Sequence, residues 1–424
     1  MKQFLSALAA VFFLSQHLPA QVLTISDVLA TAGQDMRWQQ NQALQHTAQG
    51  LNMQDPLLRQ IALRVGINGS VLGDTIYGYL RNEDTYQLQV GFNSLSERRR
   101  QRQVKTAEVA ALSAEGRLLQ QDALIDRYEA LAGYLFVEPK RAACLRLDSL
   151  LEKEHLILRE MLTTGVLDVK IPKVVNVEED RNRNRITLQE LDNTLTLHKN
   201  RLQQYAGDFS NIDRNGLATL DDIRKRVLLL GTLPSDQQPL FALKDSEVAR
   251  EQANLNYVNA QNRQIFNNIS VGYQNPLYLD RPNRFNTFNN FNIRAGFTVP
   301  LPANNRFKKS KAILDLQDAR NDAAWAREET RRDLAQQLVR LDNLFREYDA
   351  VQDRIDNSLI RKMLDNQVLR NQILPLEIVE LEIAQQKLYV SQAGLLADIA
   401  EEYVYLLELA GVVGDGKNYL GTGW

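Results

Sequence analysis

Four short segments of the chain alternate between apolar residues and polar or small ones. They read RQIALRVGING (59–69), DTYQLQVGF (84–92), NISVGY (268–273) and FNIRAGFTV (291–299). Successive side chains of a β-strand point to opposite faces, so this period of two predicts amphipathic strands rather than helices. We expect the strands at about 59–72, 84–94, 267–275 and 287–299.

Long helical patterns follow each pair of predicted strands. Apolar residues between 333 and 359 follow the 4-3 spacing of a coiled-coil seam. A first long helix is predicted at about 96–162, where Gly133 and Pro139 should introduce kinks. Neither Pro nor Gly interrupts the second, at about 305–372, which would extend about 100 Å. Returning helices are predicted at about 166–206 and 375–411.

The order of hairpin, long helix and returning helix occurs twice, which predicts an internal duplication. Gly66 and Gly91 are 25 residues apart, and the corresponding Gly272 and Gly296 are 24 residues apart. We therefore divide the chain into a signal peptide, a first repeat, an equatorial linker element, a second repeat and a C-terminal tail. These segments span residues 1–20, 21–206, 207–245, 246–411 and 412–424.

The first 20 residues predict a cleaved secretory signal. Lys2 supplies the basic start, and residues 4–14 form an apolar stretch that is shorter than the ~20 residues a membrane-spanning helix needs. The single cysteine, Cys144, excludes an intrachain disulfide. A formal net charge of -2 over 424 residues gives no reason to expect a nucleic-acid partner.

Four strands cannot close a membrane barrel by themselves. An open sheet edge in lipid leaves backbone groups unpaired, and single-chain barrels have at least about eight strands. Three copies of the chain would supply twelve strands around a water-filled lumen. The polar strand faces would line this lumen with Arg64, Asn68, Gln87, Gln89, Asn290, Asn292 and Arg294. The alternative is a soluble antiparallel sheet that packs its apolar face on a core.

Several motifs, in this order and spacing, carry a family resemblance. They are LTISDVLATA (23–32), TGVLDV (164–169), GFTVPLPANNRFKKSKA (296–312) and the closing LAG (409–411). Nearly the whole mature chain resembles the TolC-like outer-membrane efflux channel family. The resemblance implies a mainly α fold with membrane β-structure, in which a homotrimer forms a 12-strand outer-membrane barrel and a periplasmic coiled-coil tunnel. The implied partners are a periplasmic adaptor (membrane fusion) protein, an inner-membrane pump of the RND or ABC type, and outer-membrane lipid.

The resemblance also assigns site residues. Glu377 and Glu380 match acidic residues that narrow the periplasmic end of the tunnel, and three copies would place six carboxylates around one axis. A plainer explanation is that Glu is favoured in the first helical turn after Pro375. The residues expected at the hairpin tips, where the adaptor would bind, are Thr164, Gly165, Asn371 and Pro375.

Two basic blocks, 98–105 and 306–311, follow the outward strands. They suit either contact with anionic lipid headgroups or simple solvation of a helix start. No metal-ligand spacing, phosphate loop or nucleophile motif occurs in the sequence. We therefore predict no enzyme activity and no cofactor or metal. The predicted function is the passive outer-membrane channel of a tripartite efflux pump or a type I secretion system. The alternative is a periplasmic coiled-coil adaptor or tether without a pore.

Overall fold

The structure is a computed structural model of the chain. It describes residues 21–51, 56, 58–72, 79–92, 94–164, 171–231, 238–261, 266–278, 291–297, 306–366, 373–411 and 418–421.

Helices make up most of the described residues. In chain order, α1 to α9 are Ile25–Ala30, Met36–Gly50, Leu95–Thr163, Ile171–Ala206, Leu220–Leu230, Pro239–Gln261, Arg306–Asp356, Leu359–Asp365 and Pro375–Ala410. Helix α3 runs as one element of 69 residues with Pro139 inside it. Among the helices that the structure describes, none has the length and hydropathy that a membrane span requires.

The strands form two separate sheets. A small parallel sheet pairs β1 (Gln21–Leu23) with β4 (Phe209–Ile212). A four-stranded antiparallel sheet has the order β2-β3-β5-β6, and its strands are Leu58–Leu72, Tyr79–Phe92, Phe266–Tyr278 and Phe291–Phe297. The two predicted hairpins are therefore joined through β3 and β5. Local alternation does not specify this pairing, because its partners are nearly 190 residues apart in sequence.

The chain divides into two compact units. Unit 1 comprises the described residues of Met1–Gln40, Gly116–Leu240 and Arg327–Trp424, and unit 2 those of Asn41–Glu115 and Phe241–Ala326. The core of unit 1 draws on six of the helices, which are α1, α3, α4, α5, α7 and α9. Leu131, Leu202, Ile223, Leu341 and Tyr403 are among its fully buried side chains. Unit 2 contains the four-stranded sheet together with α2, α6 and the beginnings of α3 and α7.

The second long helix is interrupted, where the sequence predicted continuous helix from about 305 to 372. Helix α7 ends at Asp356, and α8 begins two residues after Asn357. Ser358 leaves helical geometry (φ -59°, ψ 121°), and its hydroxyl accepts a hydrogen bond from the N–H of Arg361 at 3.4 Å. A serine side chain that caps a new helix competes with continuation of the old one. The predicted end of this helix, 367–372, lies outside the described residues.

The segment predicted as an equatorial linker contributes to the core of unit 1. It contains β4 and α5, and Ile223 and Leu230 of α5 are buried in the main apolar cluster. Helix α5 begins with a capping box, in which the Thr219 hydroxyl accepts from the N–H of Asp222 at 3.2 Å and the Asp222 carboxylate accepts from the N–H of Thr219 at 3.0 Å. Reciprocal caps of this kind satisfy donors that a helix start leaves free.

Residues near the C-terminus return to this core. Tyr419 is 3% exposed and Leu420 is fully buried. The backbone N–H of Ala218 donates to the carbonyl of Leu420 at 2.8 Å, and the buried guanidinium of Arg226 donates to the carbonyls of Tyr419 and Gly421. From the sequence, these residues were predicted as part of a C-terminal tail at 412–424. They form a docked element of unit 1.

Candidate functional site

The apolar positions of the four-stranded sheet align in rows across all four strands. Leu63 pairs with Leu88, Leu88 with Val271, and Val271 with Ile293. The rows on either side consist of Ile61, Val90, Ile269 and Ala295, and of Val65, Tyr86, Tyr273 and Phe291. We call these three rows the apolar sheet face.

The apolar sheet face is exposed. Leu63 is 68% exposed at one end of the central row, and Ile293 is 78% exposed at the other. A soluble sheet would cover such a face with its own core, as the alternative interpretation of the sequence requires. Contiguous exposed apolar patches are rare on soluble monomers and mark contacts with a membrane or another protein. The exposure therefore points to a partner outside the chain.

The opposite face of the sheet carries the polar residues that were predicted to line a lumen. Arg64 pairs with Gln87, and Gln89 pairs with Ser270, whose other neighbour is Arg294. The backbone register therefore places these predicted lumen residues on one face. Two further predicted residues are Asn68 in β2 and Asn292 in β6, and for these two residues only the backbone is described. The last, Asn290, lies outside the described residues.

The sheet has two open edges. Within the described residues, β2 pairs only with β3, and β6 only with β5. An edge strand presents a row of unpaired N–H and C=O groups that can pair with another chain. The sheet can therefore be extended at both sides.

A cluster of charged residues joins three helices of unit 1. Lys173 of α4 forms an ion pair with Glu380 of α9, and Lys387 Nζ of α9 lies 2.6 Å from Asp180 Oδ2 of α4. Glu154 of α3 faces the same cavity of about 280 Å³. We call these five residues the three-helix charge cluster. The cavity is also lined by Leu151, Asn176, Val177, Ile383 and Ala384.

Glu154 is the buried member of the three-helix charge cluster. It is 5% exposed. Burial raises the pKa of its carboxyl above the ordinary value, and the negative charge of Glu380 raises it further, while Lys173 and Lys387 lower it. The two lysines are already paired with Glu380 and Asp180. The cluster therefore carries one uncompensated negative charge whenever Glu154 is ionised.

Both predicted constriction residues have local partners within the chain. Glu377 is exposed, and its Oε2 accepts a hydrogen bond from the N–H of Leu374 at 3.2 Å at the start of α9. Glu380 is 36% exposed and pairs with Lys173. Lys173 was not among the site residues predicted from the sequence. The predicted duplication offered a signal for this pairing, because each ion pair joins residues 207 positions apart, close to the offset between the two predicted repeats.

The residues predicted at the hairpin tips are only partly described. Thr164 follows the last residue of α3, and its hydroxyl donates to the carbonyl of Glu160 at 2.8 Å. Pro375 is the first residue of α9, a position that suits its missing N–H. Gly165 and Asn371 lie outside the described residues. Across the residues that are described, no group of three or more acidic, histidine or cysteine side chains is arranged to hold a metal ion.

Sequence comparisons identify no relatives. No protein-family model matches the chain. No curated protein matches it either.

Solved structures with the same fold exist. The outer membrane protein VceC of Vibrio cholerae is 14% identical with a TM-score of 0.60, and the match covers 91% of this chain and 96% of VceC. The CmeC outer membrane channel of Campylobacter jejuni is 10% identical with a TM-score of 0.57, and the match covers 91% of this chain and 84% of CmeC. The open state of the Neisseria gonorrhoeae MtrE outer membrane channel is 14% identical with a TM-score of 0.54, and the match covers 94% of this chain and 90% of MtrE.

At these identities the matches establish the fold. The family resemblance found in the sequence is confirmed at that level, since nearly the whole chain adopts the mainly helical fold of these outer-membrane channels.

Proposed function

We propose that the chain is the outer-membrane channel subunit of an efflux or secretion assembly. The observation that carries this proposal is the exposed apolar sheet face, with open edges, in a chain that has the fold of outer-membrane channels. The channel is a passive conduit from the periplasm or cytoplasm to the exterior. An inner-membrane pump supplies the energy, in either a tripartite efflux pump or a type I secretion system.

The open edges of the sheet argue for a trimer. An unpaired backbone group in lipid costs several kcal/mol, so a four-stranded sheet needs neighbours at β2 and β6. Three copies give a twelve-strand barrel in the outer membrane. The apolar sheet face then contacts lipid, and the face with Arg64, Gln87, Gln89 and Arg294 lines the lumen. The duplicated helices continue as a periplasmic coiled-coil tunnel.

The constriction at the periplasmic end is proposed to include Lys173 as well as Glu377 and Glu380. Three copies place six carboxylates and three ammonium groups around the axis. Each Lys173 ammonium neutralises one Glu380 carboxylate, so the ring is less negative than the acids alone suggest. Glu377, which is exposed, supplies the remaining negative charge. The ring should favour cations only moderately.

We also propose a periplasmic adaptor and an inner-membrane pump as partners of the channel. A periplasmic adaptor would dock where α3 ends and α9 begins, at Thr164, Gly165, Asn371 and Pro375. The adaptor would connect the channel with a pump of the RND or ABC type.

Matched substitutions in β3 test the proposal. Leu88 lies on the apolar sheet face and its neighbour Gln87 on the polar face. An arginine on the lipid-facing side costs about 2–4 kcal/mol near the bilayer midplane, whereas lumen positions tolerate charge. We expect Leu88→Arg to abolish heat-resistant trimers in outer-membrane fractions. Gln87→Arg should still assemble and conduct in planar bilayers, with lower cation selectivity.

Two outcomes would contradict the proposal. Equal assembly of the two arginine variants would show that the faces are not distinguished by lipid. A wild-type chain that osmotic shock releases as a soluble protein, without pores in planar bilayers, would instead support the periplasmic adaptor or tether.

A further inference from the structure

The first residues of α7 form a strongly basic exposed segment. They read RFKKSK from Arg306 to Lys311, and every residue in the segment is exposed. Phe307, between the cations, is 80% exposed. We call residues 306–311 the basic start of α7. Its four cations are Arg306, Lys308, Lys309 and Lys311.

Nothing in the described part of the chain compensates these four cations. The first turn of α7 contains no acidic residue. None of the four side chains forms an ion pair or a hydrogen bond with any residue that the structure describes. Cations at a helix start also oppose the helix dipole. The charges therefore do not help α7 to fold.

The basic block at the start of α3 differs in this respect. Glu97 lies in its first turn. Lys105 Nζ donates to the carbonyls of Gln49 and Leu51, and Arg100 donates to the Gln103 side chain at 2.7 Å. The two Lys105 hydrogen bonds hold the end of α2 against α3. The two blocks look alike in the sequence, but among the described residues the block of α3 has internal acceptors and the block of α7 has none.

We propose that the basic start of α7 binds the phosphates of anionic lipid headgroups. This inference rests on the proposed membrane location. Only residues 298–305 separate the segment from Phe297, the last residue of β6, so it follows directly on the apolar sheet face of the same unit. Four cations without a partner among the described residues complement an anionic surface, and contact with one such charge favours a lipid headgroup about fivefold. The exposed ring of Phe307 suits the membrane–water interface.

Lipid selectivity measured on the full-length trimer tests this proposal. The protein is reconstituted in phosphatidylcholine vesicles that contain spin-labelled phosphatidylglycerol or spin-labelled phosphatidylcholine. The immobilised fractions give the relative association constant of the anionic lipid. We expect a value of roughly 5 or more for the wild type. It should fall when salt shortens the Debye length from about 10 Å to about 3 Å.

Charge-matched variants locate the site. A variant in which all four cations of the basic start of α7 become Gln should lower the constant to about 1. The control replaces four exposed basic residues of unit 1 that form no ion pair in the described structure, and it should keep the wild-type value. The control substitutions are Lys153→Gln, Arg159→Gln, Lys199→Gln and Lys225→Gln.

Other results of these measurements would contradict lipid binding by the basic start of α7. Unchanged selectivity in the α7 variant, or an equal loss in the unit 1 control, would overturn the proposal while leaving the channel intact. Selectivity that inorganic phosphate abolishes at matched ionic strength would assign the segment to free phosphate. A wild-type protein that does not enter vesicles at all would refute the proposed function, and this inference with it.

Discussion

Replacement of Gly133 tests how closely α3 and α4 approach each other. A Cβ added at Gly133 would lie 2.2 Å from Nε2 of His198 and 2.4 Å from its Cε1. Carbon atoms in contact are about 3.5–4.0 Å apart, so the imidazole would have to move by more than about 1 Å. Burial lowers the pKa of His198, and its buried Nδ1 has no hydrogen-bond partner among the described residues. The ring is therefore held by packing.

Two terms contribute to the change in the free energy of unfolding that we expect for Gly133→Ala. Ala in place of Gly inside a helix gains about 1 kcal/mol. Forcing atoms into a packed site costs about 1–3 kcal/mol. Gly394 in α9 provides the control, because a Cβ there would meet Lys140 Cε at an ordinary 3.5 Å. Gly394→Ala should therefore stabilise unit 1 by about 1 kcal/mol. Gly133→Ala should be less stable than that variant by about 1–3 kcal/mol.

Thermal unfolding of the purified protein in detergent measures these differences, at about 2–4 °C per kcal/mol. The decisive comparison uses His198→Ala, which removes the ring. When His198 is already Ala, Gly133→Ala should stabilise the protein by about 1 kcal/mol, because the clash with the ring is gone. The effect of Gly133→Ala on stability should therefore differ between the His198→Ala protein and the wild type. Equal shifts for Gly133→Ala with and without His198, or equal shifts for the two glycine variants, would refute the reasoning.

Two further predictions concern the three-helix charge cluster. Lys173→Gln should free the Glu380 carboxylate and raise cation selectivity in planar bilayers. Glu380→Gln should leave Lys173 without its acidic partner and lower cation selectivity. Shifts of both variants in the same direction would contradict the pairing. Because folding raises the pKa of Glu154 above 4.5, its stabilising contribution is present at low pH and lost as pH rises through the folded pKa. Glu154→Gln should therefore gain thermal stability over the wild type as pH rises from about 4 to 8, and parallel pH curves would contradict this.

The strands could be located from the sequence because each was encoded locally. Alternation at period two needs only about ten residues to be visible, and all four strands of the large sheet lie on alternating segments. The pairing of β3 with β5 was not predictable in this way. Its register, in which Leu88 faces Val271, depends on two segments brought together by the rest of the fold.

The break at Ser358 was missed for a related reason. Helix-breaking was judged by the absence of Pro and Gly, but a serine hydroxyl can end one helix and begin another. The docking of Tyr419 and Leu420 was also missed. A short apolar pair near a chain end carries no period, and its position depends on the buried guanidinium of Arg226.

The ion pairs of the three-helix charge cluster could not have been predicted from the proposed internal duplication alone. Lys173 and Asp180 are seven residues apart on α4, and Glu380 and Lys387 are seven residues apart on α9. Two identical copies of a helix, paired side by side in the same direction, would place like charges opposite each other. Here the order of charges is reversed between α4 and α9, so each pair is attractive. This reversed order of charges lets α4 and α9 lie together beside the buried Glu154.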